Sequence, residues 1–443
     1  MIYQRVRGRI GGRVMSGLNG QHSGRAGMLS GVAAAIAGMT LNWASSPGNL
    51  LPPGFSLTRA GDGTYWDSAG LLQTAATDVA RGTYRYNGSA WVFDGTINEA
   101  AATNTCLQSE DLTTTWSVGA GVSVTANAYT APDGTATMDR INASAGNTQH
   151  YLNILAGVSI SAGTTTYSFF LHYDNHRWVS VGFNEGTNVP FASFDLLNGV
   201  VGATGYVVGT GTISSRITPV GGNTYRCELT STSAAGAAST LYISMNTSDS
   251  ASIQTWNAAG TEKVGAWGGQ VETGGTATSY IKTTTAAQTR NADVLTAPTS
   301  GLLVNGQGFA AMKFRTIAEG TVGSGFMFST YAGGAQATPL YYTAGNVTIS
   351  DGTVGGLATG TPVPTVGNVI SVASTWSGST GYRIGVNGAV GSVGSGGSGM
   401  TLGANLRIGT SYTADLFPVS MVLQSLRLGV QTVNNSRLAN PFA

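Results

Sequence analysis

The chain has 443 residues but only 20 Asp+Glu and 21 Lys+Arg, against 65 Gly and a dense background of Ser, Thr, Ala and Asn. Globular proteins usually carry about a quarter charged residues; this chain carries 9% and a net charge of +1, so its surface is built from hydroxyls, amides and backbone. Such a surface offers no general field for nucleic acid or an anionic membrane and suits an acid–base enzyme poorly, which leaves binding and structural roles.

From the N-terminus, the first 61 residues hold no acid and six arginines: Arg5, Arg7, Arg9, Arg13, Arg25 and Arg59. Met28–Leu41 (MLSGVAAAIAGMTL) follows like a signal-peptide core. It is too short and too rich in Ala and Gly for a membrane span, which needs about 20 apolar residues. Residues 1–53, closed by Pro52-Pro53, are expected to stay in the mature protein as an extended or partly helical docking arm. Its Arg5, Arg7, Arg9, Arg13 and Arg25 would lie on a partner protein, with no membrane insertion. A loosely packed extension of the first domain is the competing reading.

From about Phe55 onward, period-2 runs alternate with Gly, Asn, Asp and Ser turns, the pattern of all-β sandwiches. Strands are predicted at Tyr167–Tyr173, Trp178–Phe183, Tyr225–Thr230, Leu241–Met245, Phe326–Ser329, Val369–Trp376, Leu406–Gly409 and Met421–Leu428. Asn198-Gly199 and Asn387-Gly388 read as tight hairpin turns, because both residue types accept positive φ. Periodicity lapses across Thr283–Asp293. The expected units are thus the arm at 1–53, a β-rich connector at 54–105, a jelly-roll sandwich at 106–285 and a second at 286–443. Cys106 and Cys227, the only cysteines, are expected as buried free thiols rather than a bridge.

Arg59–Arg81 (RAGDGTYWDSAGLLQTAATDVAR) combines an Arg lead, a Gly-Thr-Tyr opening, an Asp-x-x-Gly turn and Asp78-Val79-x-Arg81. Glu99–Trp116 (EAAATNTCLQSEDLTTTW), Phe194–Gly199, Asn223–Cys227 (NTYRC) and Trp267–Ile281 (WGGQVETGGTATSYI) follow in order. These motifs resemble the surface proteins of tailed bacteriophages and phage-like particles, including head spikes and tail fibres. The family strand before the cysteine reads Gly-Trp-Tyr-Arg-Cys, and here Thr224 replaces the Trp. Tyr382–Gly388, Leu406–Gly409 and Ser436–Ala439 resemble a laminin-G or concanavalin A-like jelly roll. The resemblance implies a virion-surface location, capsid or tail proteins as partners, and host surface polysaccharide as ligand. Edge strands with few Lys or Glu to guard them predict a homo-oligomer, and the fibre-like role favours a trimer. A structural decoration or adaptor protein without glycan binding is the alternative reading, and a capsule depolymerase the third.

Sugar recognition needs aromatic faces and planar polar groups. His172, Asp174, Asn175, His176, Arg177 and Trp178 cluster with Tyr173 at a strand–turn–strand junction and form one candidate glycan site. A polar turn whose Trp178 enters the core would explain them without a ligand. Tyr331, Tyr341, Trp376 and Tyr412 are stacking candidates in the C-terminal unit. Tyr65, Trp66, Tyr84, Tyr86, Trp91 and Phe93, around Asn87-Gly88, read first as cross-strand pairs of a hairpin. Acids that could pair for sugar cleavage are few: Glu110 with Asp111, Asp62 with Asp67, and Asp174 with Glu185. No catalytic residue, metal or cofactor is expected; Gly394–Gly399 matches a dinucleotide fingerprint, but no helix pattern follows it. The last 120 residues carry only Asp351, Arg383, Arg407, Asp415, Arg427 and Arg437 as charges, so glycan binding there should be uncharged and insensitive to salt.

Overall fold

A computed structural model describes residues 38–443 except 120, 161–162, 185–187, 234–236, 250–252, 319–323, 333–334, 344–345, 352–357, 361–364, 379–380, 392, 396–398 and 410–418. Arg5, Arg7, Arg9, Arg13, Arg25 and Tyr412 lie outside the described residues. The described part is nearly all β, with a single short helix, Asn435–Ala439, capped by the Asn434 side chain.

The middle of the chain forms one sandwich of two antiparallel sheets. One runs Ile213–Pro219, Thr224–Ser233, Gly163–Tyr173, Lys263–Thr273, Met138–Ala143, Val122–Tyr129. The other runs Val200–Tyr206, Pro190–Asp195, Trp178–Asn184, Ala237–Asn246, Tyr151–Ile160, Trp116–Val118. Alternation sends Phe169 and Leu171 inward against Val179, Val181, Phe183, Leu241 and Ile243. Phe170 points the other way and is still buried, against Leu72, Met138, Trp267 and Tyr280. A strand that is apolar on both faces thus has both faces covered, the outer one by the connector.

The second sandwich gathers its strands from both ends of the chain. Its larger sheet runs Ala389–Val390, Arg383–Val386, Val369–Ser377, Gln307–Ala318, Ser420–Gly429, Trp91–Asn98, Gly82–Tyr86. Met39–Ala44 also pairs with Ser420–Gly429, using its 425–429 stretch, while Trp91–Asn98 uses 421–423. The facing sheet runs Ser56–Thr58, Val294–Pro298, Asn405–Ile408, Ser324–Ala332, Ala335–Thr343, Asn346–Ser350, Ala358–Gly360. Leu41, Trp43, Phe55 and Leu57 pack in the same core as Phe314, Phe328, Leu406 and Leu426.

The middle sandwich is therefore an insertion into a discontinuous one. Ala102–Asn104 pairs with Gln288–Arg290 as a two-stranded neck where the chain enters and leaves the insert. The division at 54–105 and 286–443 read from the sequence separates strands that share one sheet, and residues 39–44 of the expected arm are an integral strand. Local periodicity identifies a strand but carries no information on a partner more than 380 residues away, as Met39 is from Gly429.

A buried ionic cluster joins the neck to the connector. Asp293 accepts from Arg59 (2.9 Å) and from Arg81, and it also takes the Glu99 backbone N–H at 2.9 Å. Glu99 accepts from Arg81 at 2.9 Å and from the Ser279 N–H and hydroxyl at 2.8 and 2.6 Å, with Arg290 at 3.5 Å. Burial alone would raise the Glu99 pKa; Arg290 and Arg81 outweigh it, and with Ser279 they bring it down to about 2. Beside this cluster Asn104 donates to Gly269 and Ile281 carbonyls and accepts from the Cys106 and Val271 N–H groups. Ser109 bonds the Tyr280 hydroxyl at 2.7 Å. Three of the motifs, 59–81, 99–116 and 267–281, thus supply residues to this junction, whereas Phe194–Gly199 lies in the other sheet of the insert.

The predicted strands fall within observed ones, Leu406–Gly409 shifted by one residue to Asn405–Ile408. Asn387 (φ 47°) and Gly388 (φ 92°) both take positive φ at their hairpin. Cys106 and Cys227 are free and buried.

Candidate functional site

The aromatic residues of the connector and the insert meet in a cleft between the two sandwiches. The hairpin Gly82–Tyr86/Trp91–Asn98 closes on Asn87, whose side chain accepts from Ser89 and Ala90 N–H groups at 3.0 and 2.9 Å. Register places Tyr86 opposite Trp91 and Tyr84 opposite Phe93, with ring centroids 5.7 and 5.3 Å apart. The cross-strand pairs expected from the sequence are present. Trp91 also lies 4.9 Å from Trp66, which comes from the separate hairpin Gly63–Trp66/Leu72–Ala75, and Trp66 meets Phe170 of the insert at 6.0 Å.

Gly70 is what lets Trp91 lie there. It takes φ +81° in the Asp67-x-x-Gly turn, and a Cβ on it would sit 2.1 Å from the Trp91 ring nitrogen. Asp67 holds that turn by accepting from the Ala69 and Leu71 N–H groups, both at 2.9 Å.

The opposite wall is the outer face of the insert sheet. Register sets Thr218, Arg226, Phe170 and Trp267 in one row and Arg216, Glu228, Ser168 and Gln270 in the next. Arg226 lies 5.5 Å over the Phe170 ring and donates to the Thr278 carbonyl (2.6 Å) and the Ser168 hydroxyl (3.1 Å). Arg216 grips both Glu228 oxygens at 2.7 and 2.8 Å. Thr64, Tyr65, Glu99, Ser279 and Arg315 complete a cleft of about 160 Å³, with Glu99 the member of the ionic cluster that lines it. Half-buried indoles beside hydroxyls and guanidiniums form a surface suited to the apolar face and hydroxyl rim of a sugar ring.

The carboxylates here are committed elsewhere. Glu99, held near 2 by its arginines, is no proton donor at neutral pH, and Glu228 is gripped by Arg216. Away from the cleft, Glu110 receives the Tyr280 hydroxyl and Lys282, and Asp111 caps Thr113 and Thr114. A glycosidase needs one carboxyl with a raised pKa beside a second; neither lining carboxylate is arranged so.

In the turn proposed at residues 172–178, His172, Asp174, Asn175 and Arg177 all have partners within the chain, whereas His176 Nε2 is buried without one. His172 bonds the Thr224 hydroxyl at 3.0 Å and packs on Tyr129, and burial lowers its pKa. Asp174 accepts from the Tyr129 hydroxyl at 2.6 Å. Asn175 latches the neighbouring hairpin through the Thr261 carbonyl and the Lys263 N–H. His176 turns the opposite way, 7% exposed and stacked 5.4 Å from Trp256, and burial lowers its pKa too. Arg177 pairs with Asp195 at 2.7 Å and lies over the half-buried Trp178 ring. The two histidines pack on different rings, Tyr129 and Trp256, and four of the turn's polar side chains are engaged within the chain.

In the C-terminal sandwich, Trp376 is fully buried and packs edge-on against Gly308, so it cannot stack a sugar. Tyr341 is half-buried on Ala335–Thr343, and the Tyr331 side chain lies outside the described residues. The cleft's aromatic half was visible as the dense 65–93 cluster. Its arginine wall, from residues 216, 226 and 315, was not, because topology alone brings it there.

The chain matches no protein-family model and none of the curated proteins compared. Several solved structures show a faint likeness. Domain 4 of AbnA, a GH43 extracellular arabinanase from Geobacillus stearothermophilus in complex with arabinotriose, is 12% identical with a TM-score of 0.26, over 37% of this chain and 79% of that one. Mouse laminin alpha1 domains LG4-5 are 11% identical at 0.23, over 66% and 88%. Trypanosoma rangeli sialidase in complex with sialic acid is 11% identical at 0.26, over 83% and 67%. At such scores none of them assigns a function to this chain.

Proposed function

We propose that this chain is a non-enzymatic spike or fibre subunit on the surface of a phage-like particle that binds host surface polysaccharide in the cleft between its two sandwiches. The observation that carries the glycan reading is the Trp66–Trp91 pair. Two half-buried indoles line a cleft that also carries hydroxyls and guanidiniums, one of them over a glycine that leaves it room. The particle reading rests on the sequence motifs. Attachment is assigned to residues 1–37, with capsid or tail proteins as partners. Self-association, with a trimer favoured, is supported by the edge strand Val200–Tyr206, whose Val200 and Val201 are 49% and 37% exposed.

The alternative, a decoration or adaptor protein without glycan binding, is favoured by one observation: three of the motifs that carry the family resemblance supply residues to the junction scaffold, which a purely structural subunit would also need. A glycan array probed with the intact chain separates the two. Specific binding that Trp91→Ala lowers roughly tenfold or more supports the proposal. An array without signal, with particles that still adsorb to capsule-free cells, overturns it in favour of the structural role.

A further inference from the structure

We infer that the cleft takes an acidic polysaccharide, with a uronate ring laid against Trp66 and Trp91 and its carboxylate received by Arg226. The inference rests on the glycan reading above and narrows the ligand class.

Charge placement carries it. The whole chain has 21 Lys and Arg in 443 residues, yet Arg85, Arg216, Arg226 and Arg315 all line this one cleft, against Glu99 and Glu228. Glu99 is already taken by Arg81 and Arg290, Glu228 by Arg216, and Arg315 pairs with Asp94. Arg226 forms no ion pair among the described residues. Its internal partners are a carbonyl and a hydroxyl, and its Nε is buried without a partner. The next carboxylate, Glu272, is hydrogen-bonded by Thr278 and Gln270, and Arg226 acts on it only through space, without an ion-pair contact. A guanidinium offers five N–H donors in a planar fork, and Arg226 spends two of these groups within the chain. Register fixes it beside Phe170, whose ring meets Trp66, so cation and indole face the same space. A ring carboxylate on a sugar stacked at Trp66 is the anion that geometry fits. The expectation of salt-insensitive binding came from the C-terminal 120 residues, and this cleft draws on charges elsewhere.

The test uses the intact chain in affinity electrophoresis against polygalacturonate, alginate and hyaluronate, with methyl-esterified polygalacturonate, dextran and oligothymidylate beside them. At least one acidic polymer should bind, and raising NaCl from about 50 to 300 mM should weaken it several-fold. Arg226→Gln should weaken it roughly tenfold, the worth of one charge-assisted contact. Because Arg226 also tethers Ser168 and Thr278, the ligand-side control is decisive where the variant misfolds: esterification removes the charge and should cost polygalacturonate a similar factor. Equal binding of esterified and free polymers, or binding of dextran alone, overturns the acidic ligand and leaves the glycan reading standing. Binding to none of the polysaccharides, or to oligothymidylate in their place, overturns both.

Discussion

Replacing Glu99 by Gln removes one negative charge from the ionic cluster with almost no change of shape. In the folded chain Glu99 is buried between Arg81 and Arg290, and its pKa falls from the ordinary 4.5 to about 2. At about 1.4 kcal/mol per pH unit, that difference is worth about 3 kcal/mol of folding stability at neutral pH. Breaking one partner of a buried ion pair costs a similar ~3–5 kcal/mol. A carboxylate with a depressed folded pKa contributes its full stability above the unfolded value, near 4.5, and loses it as pH falls through the folded value, near 2. Urea unfolding followed by tryptophan fluorescence should therefore show Glu99→Gln destabilised by about 3 kcal/mol at pH 7. The gap should narrow steadily as the pH drops from 4.5 towards 2. A variant as stable as the parent, or a gap that ignores pH, would refute the argument that Glu99 is held ionised at the junction.

Three further outcomes follow from the fold. A chain beginning at residue 38 should stay folded, whereas one beginning at residue 46 loses the Met39–Ala44 strand and with it buried Leu41 and Trp43. Trp43 alone is worth ~3–5 kcal/mol, so the shorter chain should show a sharply lower melting temperature. Gly70→Ala puts a Cβ at φ +81° into the Trp91 ring, so it should cost ~1–3 kcal/mol in thermal unfolding and lower glycan affinity by displacing the indole. Cys106, whose thiol burial pushes up to about 12, and Cys227, also raised by burial, should be inert to thiol reagents at pH 8 until denaturant is added.

The sandwich class and most strands were legible because period-2 alternation and Asn-Gly turns are local signals. The insertion was not. Trp43 and Leu426 share a core, and Arg59 and Asp293 an ion pair, through contacts that no window of sequence contains. The same holds for the site. The turn at 172–178 drew attention by its density of His, Asp, Asn, Arg and Trp, yet His172, Asp174, Asn175 and Arg177 bond Thr224, Tyr129, Thr261 and Asp195 in turn. The aromatic run at 65–93 looked like a self-sufficient hairpin because alternation explains Tyr84, Tyr86, Trp91 and Phe93 within it. Only the insert's outer face, set against it by the neck, turns that hairpin into one wall of a cleft.

The central claim is that sugar is bound at the junction and not at the 172–178 turn. A glycan array with the intact chain, Trp91→Ala and Trp178→Ala, each checked for native circular dichroism, tests this most directly. The account predicts that Trp91→Ala loses the signal and Trp178→Ala keeps it. Loss confined to Trp178→Ala, with Trp91→Ala binding as the parent does, would contradict it.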